Sequence, residues 1–331
     1  MPASKPAPIV TIFGGSGFVG KYIARRMAKK GWRVRVAVRR PNEAIFVRPY
    51  GDVGQVEPVQ ANIRDDASTA RAVQGADVVI NCVGILYENS RQKFGTVQAD
   101  GAARIAKAAA EAGVGKMIHI SAIGADADSE SVYASSKAEG EAAVLAAFPD
   151  AVILRPSIIF GAEDQFFNRF AAMAKFSPVL PMVGADTQFQ PVYVDNVAEA
   201  ACNAATGDAA GIYELGGPQT YNFRELMVLM LAETRRRRLL VALPFFAARI
   251  MAWTLDLVGT ISLGLVANRQ ITGDQVKLLA NDNIVTDGAK GLADLGVTPT
   301  TVESVIGEYL YAYRPQGQYD AITESAANLK T

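Results

Sequence analysis

Short runs of β-branched and aliphatic residues alternate with longer amphipathic stretches through the first half of the chain. Ile9–Phe13, Arg33–Val38, Val56–Gln60, Asp77–Cys82, Lys116–Ile120 and Ala151–Leu154 read as strands. Between them, Phe18–Lys30, Asp66–Gln74, Gly95–Ala112 and Ser131–Phe148 read as helices. Strands joined by helical crossovers make a parallel sheet covered on both faces. The unbroken run Val78-Val79-Ile80 fits a strand buried on both sides rather than an edge strand.

Beyond Arg155 the rhythm loosens. Gln165–Lys175 reads as a helix, Phe189–Val194 as an extended return, and Asp195–Thr206 as a helix with Asp195 as its N-cap. Ile212–Leu215 supplies a last strand, and from Asn222 the chain is expected to be mostly helical, with a mobile polar tail over Tyr319–Thr331. The pattern predicts an interleaved arrangement. Residues 1–161, with later returns near 189–216, form a dinucleotide-binding domain; residues 162–188 and 217–331 form a smaller, mostly helical docking or substrate-like domain. There is no internal repeat and no low-complexity stretch.

Composition narrows the chemistry. The 331 residues allow about two domains, and a half-hydrophobic, one-fifth-charged chain is a folding one. Lys+Arg and Asp+Glu balance at 33 each, which argues against nucleic acid as a partner. The single histidine, His119, excludes multi-histidine metal sites, and any Ser-His-Asp triad would have to use it. Cys82 and Cys202 form no C-x-x-C pair and read as packing residues of a reducing compartment, with no metal site. Met1–Pro8 is too short and polar for a targeting segment. Leu239–Val266, the most apolar region, is interrupted by Pro244, Arg249 and Asp256, so it makes a poor membrane span.

Gly14-Gly15-Ser16-Gly17-Phe18-Val19-Gly20 follows the first strand directly. A tight glycine turn into a helix start offers free amides and the positive end of a helix dipole to a pyrophosphate. Gly20 allows the helix to pack closely on the strand. On an α/β chain this predicts a doubly wound parallel Rossmann sheet binding a dinucleotide. The second strand ends at Val38-Arg39-Arg40, about 20 residues on, where an acidic residue would accept from a ribose 2′-hydroxyl and Arg would pair with a 2′-phosphate. No acid stands there, so Arg39 and Arg40 favour NADP(H); the alternative is a solvated strand end. Asn62 and Ile63 stand where such folds meet adenine. Cys82, Val83 and Gly84 either line the cofactor or form a buried strand end.

Tyr133-Ala134-Ser135-Ser136-Lys137 puts Tyr and Lys one helical turn apart on the same face. A free tyrosine, with a pKa near 10, is a poor base at neutral pH. A neighbouring ammonium favours the phenolate and makes it usable.

With these motifs the chain resembles the short-chain dehydrogenase/reductase superfamily in its extended and atypical branches. The supporting segments are the G-x-x-G-x-x-G loop, Tyr133 with Lys137, Arg155-Pro156-Ser157-Ile158-Ile159-Phe160-Gly161, and Pro191–Ala198. The resemblance implies that Lys137 binds the nicotinamide ribose, that Tyr133 is the acid/base of active members, and that Pro156, Ser157 and Ile158 border the nicotinamide. It also exposes a departure. Active members hold the substrate carbonyl with a hydroxyl after the fifth strand, and here Ser121-Ala122-Ile123-Gly124 keeps Ser121 at the first position only.

Gly216–Met227 opens a helix with an Asn222 cap, and Arg235-Arg236-Arg237-Arg238 then precedes an apolar segment started by Pro244. A basic cluster beside an apolar helix suits a membrane surface or a protein interface, as well as a solvated arginine run beside a core helix. Here the chain is similar to the Rossmann-type accessory subunits of respiratory complex I, in their alphaproteobacterial form. The G-G-P-Q-x-Y-x-F-R-E-L-M turn, the L-P-F-F-A-A-R-x-M-A-W segment, Asp274–Leu279 and Asp282-Asn283-Ile284-Val285 carry that likeness. It implies tightly held NADPH without turnover, and docking beside other complex I subunits near the quinone site. It further implies a peripheral place on the cytoplasmic side of a bacterial inner membrane, with Arg235, Arg236, Arg237 and Arg238 as candidates for anionic lipid head groups. An active NADPH-dependent reductase or epimerase is the alternative, and a soluble NADP(H) sensor a third reading.

Overall fold

The computed structural model describes residues 7–88, 92–246, 273–319 and 325. The strands in the first part are β1 (Ile9–Phe13), β2 (Arg33–Val38), β3 (Val56–Gln60), β4 (Val78–Asn81), β5 (Lys116–Ile120) and β6 (Val152–Pro156). They are followed by β7 (Ile159–Phe160), β8 (Val179–Val183), β9 (Gln188–Phe189), β10 (Val192–Tyr193), β11 (Gly211–Leu215), β12 (Tyr221–Asn222) and β13 (Leu239–Leu243). The α-helices are α1 (Phe18–Lys29), α2 (Asp66–Val73), α3 (Asp100–Glu111), α4 (Val132–Ala147), α5 (Phe167–Phe176), α6 (Val194–Thr206), α7 (Phe223–Glu233), α8 (Gly273–Leu278) and α9 (Val302–Leu310).

Seven strands form one parallel sheet in the order β11-β6-β5-β4-β1-β2-β3. Alternate side chains of each strand enter two different cores. Ile12, Ile80, Ile118 and Leu154 pack with α1 and α6 on one face. Phe13, Val79, Met117 and Ile153 pack with α2, α3 and α4 on the other. Each fully buried side chain of this size is worth about 1.5–3 kcal/mol, which is why the sheet strands were legible as apolar runs. The strand order reverses at β1, which has β2 on one side and β4 on the other. Ligands of open α/β sheets sit outside the carboxyl ends of the strands at such a point.

A third core of Phe160, Phe167, Phe189, Phe223, Leu226 and Met230 joins α5, α7 and α9. Two expectations fail in this region. Leu239–Leu243 is a strand, parallel to β8 with Leu239 opposite Val179 and Leu243 opposite Val183. Its partner lies far away in sequence, so local periodicity could not reveal the pairing. Asp195 is not the cap of α6: Tyr193 holds that position without a side-chain bond, and Asp195 in the first turn accepts from Arg26 Nε and Nη2 at 2.7 Å each. The long-range ion pair to α1 outcompetes the local cap. In addition, Gly95–Ala99 is a single π-helical turn leading into α3. The expected apolar helix beyond Phe246 and the tail beyond Tyr319 fall almost wholly outside the described residues.

Candidate functional site

The glycine loop is built as its spacing predicted. Gly14 has φ +72°, a conformation that suits glycine. A Cβ on Gly20 would stand 2.4 Å from the Gly14 carbonyl and 2.7 Å from Gly15 Cα, so only glycine lets α1 enter this closely. Gly17 is the N-cap of α1 with no side-chain bond, and the first turn carries no acid. The leading amides of Phe18, Val19 and Gly20 therefore face the crevice without a side-chain competitor, the arrangement an anion needs. Gly15 is buried and Ser16 half-buried between them.

Arg39 stands exposed at the end of β2. With the Gln92 amide turned so that its oxygen faces the guanidinium, that oxygen accepts from Arg39 Nη1 and Nη2 at 2.5 and 2.9 Å. A fork presented to two-point acceptance is what a phosphate would use. Arg40 turns away to Glu43 at 2.8 Å, both exposed, so the two arginines do not act together. Asn62 spends its side-chain oxygen on the Arg64 amide at 3.2 Å, and Ile63 packs against the α2–α3 core, with its Cδ1 2.7 Å from where a Cβ on Gly101 would stand. Both shape the turn after β3.

At the end of β4, Asn81 Oδ1 accepts from the Val83 amide at 3.0 Å, and the Cys82 amide donates to Phe13 at 2.9 Å. Cys82 packs toward the α1–α6 core and Val83 toward the opposite one, and burial pushes the Cys82 thiol up to about 12. A Cβ on Gly84 would lie 3.4 Å from Lys137 Nζ, so the β4 turn meets the Tyr–Lys helix here.

Tyr133 and Lys137 lie on α4, whose N-cap Ser131 accepts from the Ala134 amide. Lys137 is buried, and its ammonium donates to the Ile120 carbonyl at 3.2 Å. Burial pulls it down to about 8, against the pull of Glu141 one turn on. Glu141 is itself buried and holds Arg155 through Nε at 3.0 Å and Nη2 at 2.6 Å. The Phe94 ring meets Tyr133 edge-on at 5.7 Å, and burial pushes the phenol up to about 12.

Three buried polar atoms near the carboxyl ends of β4 and β5 have no hydrogen-bond partner: Ser121 Oγ, His119 Nε2 and Gln98 Oε1. Asn81 Nδ2 donates to His119 Nδ1 at 3.0 Å, which assigns the proton to Nε2. Burial, with Lys137 alongside, lowers His119 to about 3, so it is neutral and no acid/base. Buried groups are normally paired, and orphans beside an uncapped helix start and an arginine fork fit a bound dinucleotide.

Pro156 ends β6, and Ile158 packs against the third core while its carbonyl accepts from Val192 at 2.9 Å. Ser157 Oγ lies 2.8 Å from the Asn283 carbonyl and 2.7 Å from its Oδ1. That contact, the Asp274 contacts to the start of α4, and Gln92 were not assigned by reading the residues. All are long-range pairings, and the only signal for Asp274 and Asn283 was the family likeness of their segments. The arginine run is also reduced: Arg236 Nε donates to the Tyr313 carbonyl at 2.8 Å and Arg238 Nε to that of Ala174 at 2.7 Å. Arg235 and Arg237 are the exposed pair. Among the described residues no helix is long and apolar enough to cross a membrane.

The structure thus gathers the glycine loop, Arg39, Ser121, Tyr133, Lys137 and the 156–158 turn along the carboxyl-end edge of the sheet. The NAD dependent epimerase/dehydratase family matches residues 10–216. An Arabidopsis thaliana protein, NADH dehydrogenase (ubiquinone) 1 alpha subcomplex subunit 9, mitochondrial, is 34% identical over 93% of this chain and 79% of its own length. The NADH-ubiquinone oxidoreductase 40 kDa subunit of Neurospora crassa is 30% identical over 94% of this chain and 80% of its own length. Among solved structures, the Citrobacter triphenylmethane reductase superposes with a TM-score of 0.70 at 17% identity, covering 91% of this chain and 99% of that one. The last likeness concerns fold alone. By these matches the chain belongs to the NAD dependent epimerase/dehydratase family and, within it, to the group of the mitochondrial alpha subcomplex subunit 9 proteins.

Proposed function

We propose that this protein is an accessory subunit of an NADH:quinone oxidoreductase that holds NADP(H) without turning it over and steadies the junction of the peripheral and membrane arms. The observation that carries the reading is likeness to relatives named as subunits of that enzyme along 93% of this chain, well beyond the nucleotide-binding part alone. The site supports it: nucleotide-holding features are intact, while Tyr133 is pushed up to about 12 and Ser121 stands alone among residues 121–124 as a hydroxyl donor. Arg39 supports NADP(H) over NAD(H), because its fork suits a 2′-phosphate and no acid stands at the strand end. The partners are other complex I subunits near the quinone site. Arg235 and Arg237, the exposed arginines of the run, would face anionic lipid head groups at the cytoplasmic side of a bacterial inner membrane.

Gentle detergent extraction followed by mass spectrometry of co-purifying proteins and of the released nucleotide tests this. Co-purification with quinone oxidoreductase subunits, and NADP(H) at about one per chain, are expected. A protein found only free, whose bound NADPH is rapidly oxidised by a carbonyl compound, would instead be the active reductase.

A further inference from the structure

Residues 273–285 run across the carboxyl ends of β5 and β6, on the side of the crevice away from β2. Asp274, at the start of α8, reaches the amino terminus of α4. Its carboxylate accepts from Ser131 Oγ at 2.9 Å, from the Val132 amide at 2.8 Å and from the Tyr133 amide at 3.2 Å. Lys277 Nζ adds a bond to the Glu130 carbonyl at 3.0 Å. At the other end, Asn283 Nδ2 donates to the Ile123 carbonyl at 3.3 Å, and Ser157 Oγ is shared by the Asn283 carbonyl and Oδ1. The Asn283 amide donates to Gln188 at 2.8 Å.

These bonds use the polar groups of the first turn of the Tyr133 helix, the loop after β5 and the hydroxyl after β6. A carboxylate at a helix start replaces the water that would otherwise satisfy those amides, and gains from the helix dipole. The other half of the crevice is untouched, because the glycine loop and Arg39 belong to β1 and β2. The contacts therefore lie along one half of the crevice and leave the other open.

We propose that residues 273–285 form a strap, latched by Asp274 and Asn283, which holds the nicotinamide half of the nucleotide in place and keeps carbonyl substrates out. The proposal rests on the dinucleotide reading above. It predicts an asymmetry: loosening the strap speeds release of whole dinucleotides and leaves adenosine fragments alone.

The test uses the full chain carrying Asp274→Asn together with Asn283→Ala, and Asp274→Asn alone as a near-isosteric variant in case the pair folds poorly. NADPH and NADH release is followed by fluorescence, and binding of 2′,5′-ADP and 5′-ADP by calorimetry. Oxidation of bound NADPH by a water-soluble quinone is read at 340 nm. In the double variant, dinucleotide release at least tenfold faster and quinone oxidation of bound NADPH are expected, with adenosine-fragment affinity within twofold of the unaltered protein. Asp274→Asn alone is expected to speed release several-fold. Release within twofold of the unaltered protein, while a fragment still binds, overturns the strap alone. Failure of both fragments to bind the unaltered protein overturns the dinucleotide reading and the strap with it.

Discussion

The two halves of the crevice are made differently. The half proposed for pyrophosphate and adenosine consists of one strand, one turn and one helix start adjacent in sequence, with Arg39 at the next strand end. The half proposed for the nicotinamide draws on β4, β5, β6, α4 and a segment more than a hundred residues downstream, joined through contacts such as Asp274 to Tyr133. The first half is a local backbone shape, so it tolerates little change at a glycine and much elsewhere. The second depends on long-range polar bonds, each worth about 1 kcal/mol net, and is the half that can loosen.

Ways to break this contrast differ in size. Gly20→Val should be the most damaging, because its Cβ would stand 2.4 Å from backbone that no rotamer can move away. Loss of co-purified nucleotide and destabilisation of about 3 kcal/mol or more, read by urea unfolding, are expected; retained nucleotide would mean α1 can shift. Arg39→Asp should weaken NADP(H) by roughly tenfold to a hundredfold, as for a lost charge-assisted pair of about 1.5–3 kcal/mol. It should leave NAD(H) equal or better; equal losses for both, measured by calorimetry, would remove Arg39 from 2′-phosphate recognition.

A subtler effect concerns pH. Lys137 falls to about 8 in the folded protein, below its ordinary 10.5. The unfolded chain thus binds more protons between those values, and the empty protein gains stability as pH rises through that window. An anionic dinucleotide favours the charged ammonium, so its affinity should instead decline above about pH 8, by at most tenfold per pH unit. Lys137→Met should flatten both slopes; an unchanged binding profile would place Lys137 outside the nucleotide's reach. Smallest is Asn222→Ala, which removes a capping box closed by Glu225 at 2.7 and 2.8 Å. A loss of about 1 kcal/mol with nucleotide affinity unchanged is expected, since this cap belongs to neither half.

How much of the site could be read in advance follows the same division. The turn conformation at Gly14 and the close helix approach at Gly20 were legible because they are properties of neighbouring backbone. Tyr133 and Lys137 were legible as a helical pair, but the state of Tyr133 was not. A Lys ammonium and a positive nicotinamide ring together are expected to favour the phenolate, while burial against Phe94 by itself pushes the phenol up to about 12. Ser157 was expected at the nicotinamide and is bonded to Asn283, and half of the arginine run is spent on carbonyls of α5 and the Tyr311–Tyr313 turn.

By itself the sequence determined the parallel sheet, because strands buried on both faces leave continuous apolar runs and their crossovers leave helical periodicity. It determined the glycine turn after β1 too, because only glycine permits that backbone. Tertiary structure alone decided the pairing of β8 with β13, the release of Asp195 from its local cap to Arg26, and the contacts of Asp274 with the start of α4 and of Asn283 with the loop after β5. Each of these depends on which distant groups meet, and hydrogen bonds and ion pairs between groups far apart in sequence leave no periodic trace along the chain.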